Sequence, residues 1–205
     1  MISQMRRQDS ESVLEVGCGR GEISYWIASS TGKEVLGTDL CEPFIEYARA
    51  TNRLPNLRYE VLDLNAPGLD EMEPFDYIVG NGILHHLYHQ LDEVLPRMRS
   101  LLRNNGKMVF IEPNIYNPYC AMIFKVGMLR RMADLEPDEM AFSGSFIRKR
   151  LEKAGFQDIS TSYRDFLLPG VPMGLVKPLI AIGDILEKLP LLNRLSQSVF
   201  ITASK

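Results

Sequence analysis

The sequence predicts an α/β fold, a doubly wound and mostly parallel sheet with helices on both faces, and three observations carry that prediction. Short apolar runs recur at 13–16, 35–38, 57–62 and 77–79. Segments with helical spacing of apolar residues lie between them, and glycine clusters or an Asn-Gly pair mark the turns. Strands that alternate with helices build a parallel sheet covered on both sides.

Taken in order, residues 13–16 form an apolar strand that ends on a glycine cluster, and 23–28 reads as the buried part of a helix. Residues 35–38 make a second strand ending on Asp39, and Phe44, Ile45 and Ala48 give 43–50 a helical face. Residues 57–62 alternate as a strand, 77–79 are wholly apolar, 91–102 are helical, and 108–111 form a strand behind Asn105-Gly106. From 113 to 141 the pattern changes to prolines and an amphipathic stretch (Met122, Ile123, Val126, Met128, Leu129), which reads as a lid insertion. Ser143 is placed to cap a helix that runs to about Ala154 and stops at Gly155, with strands at 156–163 and 199–203 to follow.

A chain of 205 residues, 45% hydrophobic, supports one substantial core, so a single domain over 1–205 is expected. The net charge of −3, with both signs interspersed, gives no whole-chain case for nucleic acid. The expected partners are therefore a small-molecule or lipid-linked acceptor and no nucleic acid. Cys18, Cys41 and Cys120 are odd in number and form no CxxC pair, which points to a reducing, cytoplasmic setting. Met1 to Ser12 carries Arg6 and Arg7 but lacks the apolar stretch of a secretory signal. The most apolar stretch, 166–182, is cut by Pro169, Pro172, Lys177 and Pro178 and does not read as a membrane span.

The chemistry-bearing motif is Val13-Leu14-Glu15-Val16-Gly17-Cys18-Gly19-Arg20-Gly21, three glycines at alternate positions between a strand and a helix. Such a loop takes positive φ and lets a ligand approach backbone, and the next helix offers free N–H groups. A bare strand-to-helix turn is the plainer reading. Asp39, about 20 residues on and at a strand end, adds a carboxylate suited to two ribose hydroxyls, although it could also cap the next helix. Dinucleotide sites read GxGxxG, whereas the third glycine position here holds Glu22, which would sit poorly beside a pyrophosphate. A sulfonium-bearing nucleoside avoids that conflict.

From about Val13 to Ser204 the chain resembles the seven-stranded class I S-adenosylmethionine-dependent methyltransferases. The resemblance implies a seven-stranded sheet with its last strand antiparallel, S-adenosyl-L-methionine as cofactor and S-adenosyl-L-homocysteine as product. Glu15 through Gly21 is similar to the family's first motif, which implies cofactor contacts from Glu15, Gly17, Cys18, Gly19 and Gly21. Asp39 and Leu40 match the ribose site, and Leu62-Asp63-Leu64 the adenine site, through Asp63 and Leu64. Residues 75–87, with Asn81, resemble the fourth motif, which lines the transfer site. Asn105-Gly106-Lys107 resembles the turn into the fifth strand. About a dozen residues precede the first strand, fewer than in many relatives, which leaves closure of the site to the 113–141 insertion or to a partner.

His85, His86 and His89 all fall in that fourth motif. An imidazole, with a pKa of about 6.5, can take a proton from an attacking hydroxyl, so His85 and His86 are the expected catalytic residues; packing beneath the cofactor is the alternative. His85 and His89 would stand at i, i+4 on a helix, but no third ligand is evident and no metal is expected. Some quinone-pathway O-methyltransferases carry two acids and a histidine where this sequence has Gly82, His85 and His86. Glu112-Pro113-Asn114 are expected to face the same pocket, with Tyr116 and Tyr119 behind them as substrate contacts or, for the two tyrosines, lid packing. The segment 166–196 reads as an apolar, substrate-side insertion, with Leu175, Leu179, Ile182, Leu186 and Leu189 at near-helical spacing. Its face could pack on the core, form a homodimer, or lie on a membrane. The expected activity is methyl transfer, with an oxygen acceptor favoured; the rivals are an NAD-dependent oxidoreductase and a non-catalytic scaffold that binds the cofactor.

Overall fold

The chain is seen in a computed structural model that describes residues 1–5, 11–66, 68–167 and 170–205; Arg6, Arg7 and Pro169 lie outside the described residues. Strand β1 (Ser12–Val16) leads through the glycine loop into α1 (Glu22–Thr31), then β2 (Glu34–Asp39), α2 (Glu42–Thr51) and β3 (Leu57–Val61). There follow β4 (Phe75–Asn81), α3 (Leu91–Ser100) and β5 (Leu102–Pro113). Residues 113–141 hold α4 (Pro118–Lys125) and α5 (Gly127–Met132), and the chain closes with α6 (Gly144–Lys153), β6 (Gln157–Arg164), α7 (Met173–Leu186) and β7 (Ser198–Ser204).

The sheet order is β3-β2-β1-β4-β5-β7-β6. Strands β1 to β5 pair in parallel, and β7 runs antiparallel to both β5 and β6. Alternation along each strand splits the core in two. Leu14, Ile78, Met108 and Phe110 face one helical layer, and Val13, Tyr77, Val79 and Val109 face the other. Because both faces are covered, β1 reads as an apolar run rather than an alternating one. Ser143 caps α6 as expected, accepting from Phe146 N, and Asn117 caps α4 by accepting from Cys120 N.

Two elements differ from the sequence expectation. Strand β5 is twelve residues long, because Leu102 pairs with Phe75 across an irregularity before the regular ladder resumes at Tyr77–Lys107. The near-helical spacing over 175–195 forms a continuous helix only to Leu186, and Asn193–Leu195 is a separate 3-10 turn.

The chain winds one way from β1 to β3 and the other way from β4 onward, so a crevice opens beyond the carboxyl ends of β1 and β4. Open α/β sheets bind ligands at that switch point. The glycine loop and the segment after Asn81 both lie there.

Candidate active site

Gly17, Gly19 and Gly21 all have positive φ, at 69°, 52° and 84°, but their surroundings differ. A side chain on Gly17 would run into Ile83, and one on Gly21 into Tyr59, whose hydroxyl donates to Gly21 O at 2.9 Å. A side chain on Gly19 would meet nothing within 4 Å. The outer two glycines thus let the loop pack, and the middle one faces open space. Cys18 N donates to Thr38 O at 2.8 Å, which joins the loop to β2.

Asp39 uses both oxygens on backbone: Gly19 N donates to Oδ2 at 2.8 Å and Cys41 N to Oδ1 at 2.9 Å. Each carboxylate oxygen keeps a further lone pair, so the group orients the loop, turns the chain into α2, and retains capacity for a diol. Leu40 beside it is 65% exposed, an apolar surface at the crevice rim. Asp63 Oδ1 accepts from Asn65 N at 2.7 Å. Leu64 is buried in the core with Leu69 and Leu91. Asn81 is exposed at the end of β4.

Glu15 is buried in β1, where it accepts a short hydrogen bond from Ser24 Oγ. Burial raises its carboxyl to about 7, with the Ser24 hydrogen bonds opposing and Glu22 and Asp39 adding to the rise. Burial also pushes the Cys18 thiol up, reinforced by Glu15 and Asp39, which makes it a poor nucleophile. The carboxylates that reach the surface beside the loop are therefore exposed Glu22 and half-buried Asp39, with Glu15 buried beneath them. Such a surface suits a cationic nucleoside and opposes a pyrophosphate.

At the end of β4 the chain forms turns and a 3-10 helix (Tyr88–Gln90) rather than an α-helix. The i, i+4 arrangement of His85 with His89 that a helix would give is therefore absent, and His89 stacks edge-on against Tyr88 at 5.1 Å. His85 and His86 instead meet two carboxylates from distant segments. Glu112, buried at the end of β5, accepts from the backbone N–H groups of Ile83, Leu84 and His85 and lies 3.0 Å from His85 Nδ1. Glu139, from the 113–141 segment, has Oε1 3.0 Å from His86 Nδ1 and Oε2 3.8 Å from His85 Nε2.

Glu139 carries no sequence signal, and Glu112, expected as a substrate contact, instead bonds the 83–85 backbone and His85; each is brought in by tertiary contact. Sequence reading also missed Arg130, whose guanidinium donates to the carbonyls of Phe124, Glu136, Pro137 and Glu139 and so folds the segment onto itself. Met140 N then donates to His85 O at 3.1 Å. The expected pocket residue Asn114 is fully buried, donating to the carbonyls of Arg194 and Ser196, and so anchors the 193–196 turn. Tyr116 and Tyr119 remain exposed. Within α7 only Gly183 is buried, while Met173 (88% exposed), Leu175, Ile180, Ile182 and Ile185 stand in solvent. No helix among the described residues is long and apolar enough to cross a membrane.

A family model described as a methyltransferase domain matches residues 14–108. The tRNA U34 carboxymethyltransferase of Idiomarina loihiensis is 28% identical over 152 residues, 72% of this chain and 46% of that protein. Its namesake from Shewanella baltica is 31% identical over 102 residues, 49% of this chain and 30% of that protein. The chain thus spans less than half the length of these curated relatives. Among solved structures, a SAM-dependent methyltransferase from Archaeoglobus fulgidus superposes with a TM-score of 0.66 at 21% identity, over 96% of this chain and 86% of that one. Phosphoethanolamine N-methyltransferase 2 of Haemonchus contortus, in complex with S-adenosyl-L-methionine, gives 0.65 at 17% identity, over 96% and 49%. At these identities the structural likeness is one of fold.

The relatives named for tRNA overturn the expectation of no nucleic-acid partner. That expectation rested on net charge, which averages over the surface and hides local patches. One such patch is a cavity of about 380 Å³ at the free edge of the sheet, where Arg49, Arg53 and Arg58 are joined by a single acid, Glu60.

Proposed function

We propose that the chain is a class I S-adenosylmethionine-dependent methyltransferase, on the methyltransferase-domain match over residues 14–108 and the shared fold, and that it transfers the methyl group of S-adenosyl-L-methionine to an oxygen or nitrogen on an acceptor held beyond β4, oxygen being favoured. The observation that carries this reading is the pairing of the open Gly19, tied to Asp39, with the His86–Glu139 dyad across the crevice. The donor supplies an activated methyl when bound. For the chain's part, the loop backbone, braced from beneath by buried Glu15, holds the methionine end, Asp39 and Leu40 the ribose, and Asp63 the adenine side, while Asn81 lines the transfer site. Glu139 Oε1 lies 3.0 Å from His86 Nδ1; with a proton on Nδ1, Nε2 is left to accept the acceptor's proton as the new bond to the methyl forms and the carbon–sulfur bond breaks. His85, with both ring nitrogens toward carboxylates, positions the lid. Alignment carries much of the remaining acceleration.

The relatives' names speak of carboxymethyl transfer. A carboxymethyl donor would bring a further carboxylate to a place already lined by buried Glu112 and Glu139, and like charges at close range disfavour it. Methyl is therefore the group proposed. RNA is the acceptor class inferred, on the relatives' names and the arginine groove. A second reading has its own observation: the exposed apolar side chains of α7 suit contact with a membrane surface that would present an amphiphilic acceptor.

Methyl-labelled S-adenosyl-L-methionine, offered with total tRNA and separately with lipid vesicles, tests both. Label in tRNA supports the first acceptor, label in lipid the second, and label in neither, with no S-adenosyl-L-homocysteine formed, refutes the activity for both.

A further inference from the structure

The cluster beyond β4 has the donors and the geometry of a cation site, and we propose that His85, His86 and Glu139 together bind one divalent transition-metal ion, with Zn²⁺ the best match. One donor atom from each residue lies within 4.8 Å of the others. Zn²⁺ takes imidazole nitrogen at about 2.0–2.1 Å and carboxylate oxygen at about 2.0–2.2 Å in a tetrahedron, so its ligands stand roughly 3.3–3.6 Å apart. The 3.8 Å between His85 Nε2 and Glu139 Oε2 is a little wider than that interval, a gap that a small rotation of the imidazole closes, and is too long for a hydrogen bond. Half-exposed His86 can close the remaining span by turning its ring.

A second observation is independent of spacing. Glu139 is 4% exposed, and its Oε2 is the one buried side-chain oxygen or nitrogen among the described residues without a hydrogen-bond partner. It cannot swing to water cheaply. Oε1 accepts from Glu136 N at 3.1 Å, and Arg130 holds the carbonyl of the same residue at 3.0 Å. The structure thus fixes a bare carboxylate oxygen toward an imidazole nitrogen.

A third observation concerns the ring itself. Glu112 faces His85 Nδ1 at 3.0 Å and is held by three backbone N–H groups. A carboxylate behind the far nitrogen of a histidine sets the tautomer that turns a lone pair toward a metal. Two imidazoles also favour a transition metal over Mg²⁺ or Ca²⁺, which prefer oxygen donors.

This inference deepens, and in its chemical role rests on, the reading of the cluster as the place where the acceptor loses its proton. Three protein donors leave a position open. An acceptor oxygen bound there would release its proton to water more readily, so in the metal-loaded chain the histidines act as ligands and the His86 base is not needed. The ion would also join β4 to the lid segment through Glu139.

The test uses the metal-stripped 205-residue chain with no donor or acceptor present. Zn²⁺ is titrated against a chromophoric chelator, and Co²⁺ is followed by its visible d–d bands. One equivalent is expected, with Zn²⁺ displacing Co²⁺. Glu139→Gln and His86→Ala abolish that saturable binding while circular dichroism stays unchanged, and Glu112→Gln weakens it by about 10–100-fold. Several weak equivalents, or one equivalent that survives both Glu139→Gln and His86→Ala, overturn the proposal. Should those variants not fold, X-ray absorption on the zinc-loaded wild type decides: two imidazoles in the first shell support the site, and fewer overturn it. Neither readout involves methyl transfer, so the metal site and the activity fail separately.

Discussion

Replacing Glu15 with Gln removes a titration buried at the start of the glycine loop. The folded carboxyl is raised from 4.5 to about 7, chiefly by burial. Between those values the folded chain holds a proton that the unfolded chain has released, so stability falls as pH rises through that window and levels off above it. A pKa raised by one pH unit is worth about 1.4 kcal/mol, so the full difference is on the order of 3 kcal/mol. Gln keeps an acceptor for Ser24 Oγ and cannot ionise. Urea unfolding of both chains at closely spaced pH values from 4 to 8 isolates the effect: the wild-type stability minus that of Glu15→Gln should decline by about 3 kcal/mol across the window. The level of the Gln curve is immaterial, since the slope is the readout. A difference that stays flat, or that grows with pH, would refute the dominance of burial at the Glu15 site.

Three further outcomes follow from the geometry. Gly21→Ala forces a side chain into the Tyr59 ring at positive φ and should cost more than the roughly 1–2 kcal/mol of left-handed backbone alone. Gly19→Ala carries only that backbone cost and should instead weaken cofactor binding; thermal melts and calorimetry of the pair check the contrast, and equal stability losses would count against it. Arg130→Ala frees the carbonyls of Phe124, Glu136, Pro137 and Glu139, so limited proteolysis within 133–138 should accelerate while the cooperative melt moves little; an unaltered cleavage rate would show that Arg130 does not clamp the lid. His86→Ala should lower turnover with cofactor affinity nearly intact, and unchanged turnover would reduce that residue to a structural role.

The parts of the fold and site legible in the sequence are those whose signal is local. The glycine loop, Asp39 and the two histidines each sit within a few residues of a strand end, where period and turn chemistry locate them. Glu139 carries no such mark: it is one of four acids at 134, 136, 138 and 139 and reaches His86 only because the segment folds back under Arg130. Glu112 is visible as the end of a strand, but its role depends on the 82–86 turn meeting β5, which no spacing within either segment encodes. For α7, periodicity identifies a helix and an apolar face but not what covers it.

The central claim is that the crevice between β1 and β4 holds S-adenosyl-L-methionine. Calorimetric titration of the chain with S-adenosyl-L-methionine, S-adenosyl-L-homocysteine and NAD, repeated on Asp39→Ala, tests it most directly. One saturable site is expected for the two adenosyl compounds and none for NAD, with Asp39→Ala losing about 1.5 to 3 kcal/mol of binding free energy per charged hydrogen bond. Saturable binding of NAD, or adenosyl affinity unchanged by Asp39→Ala, would contradict it.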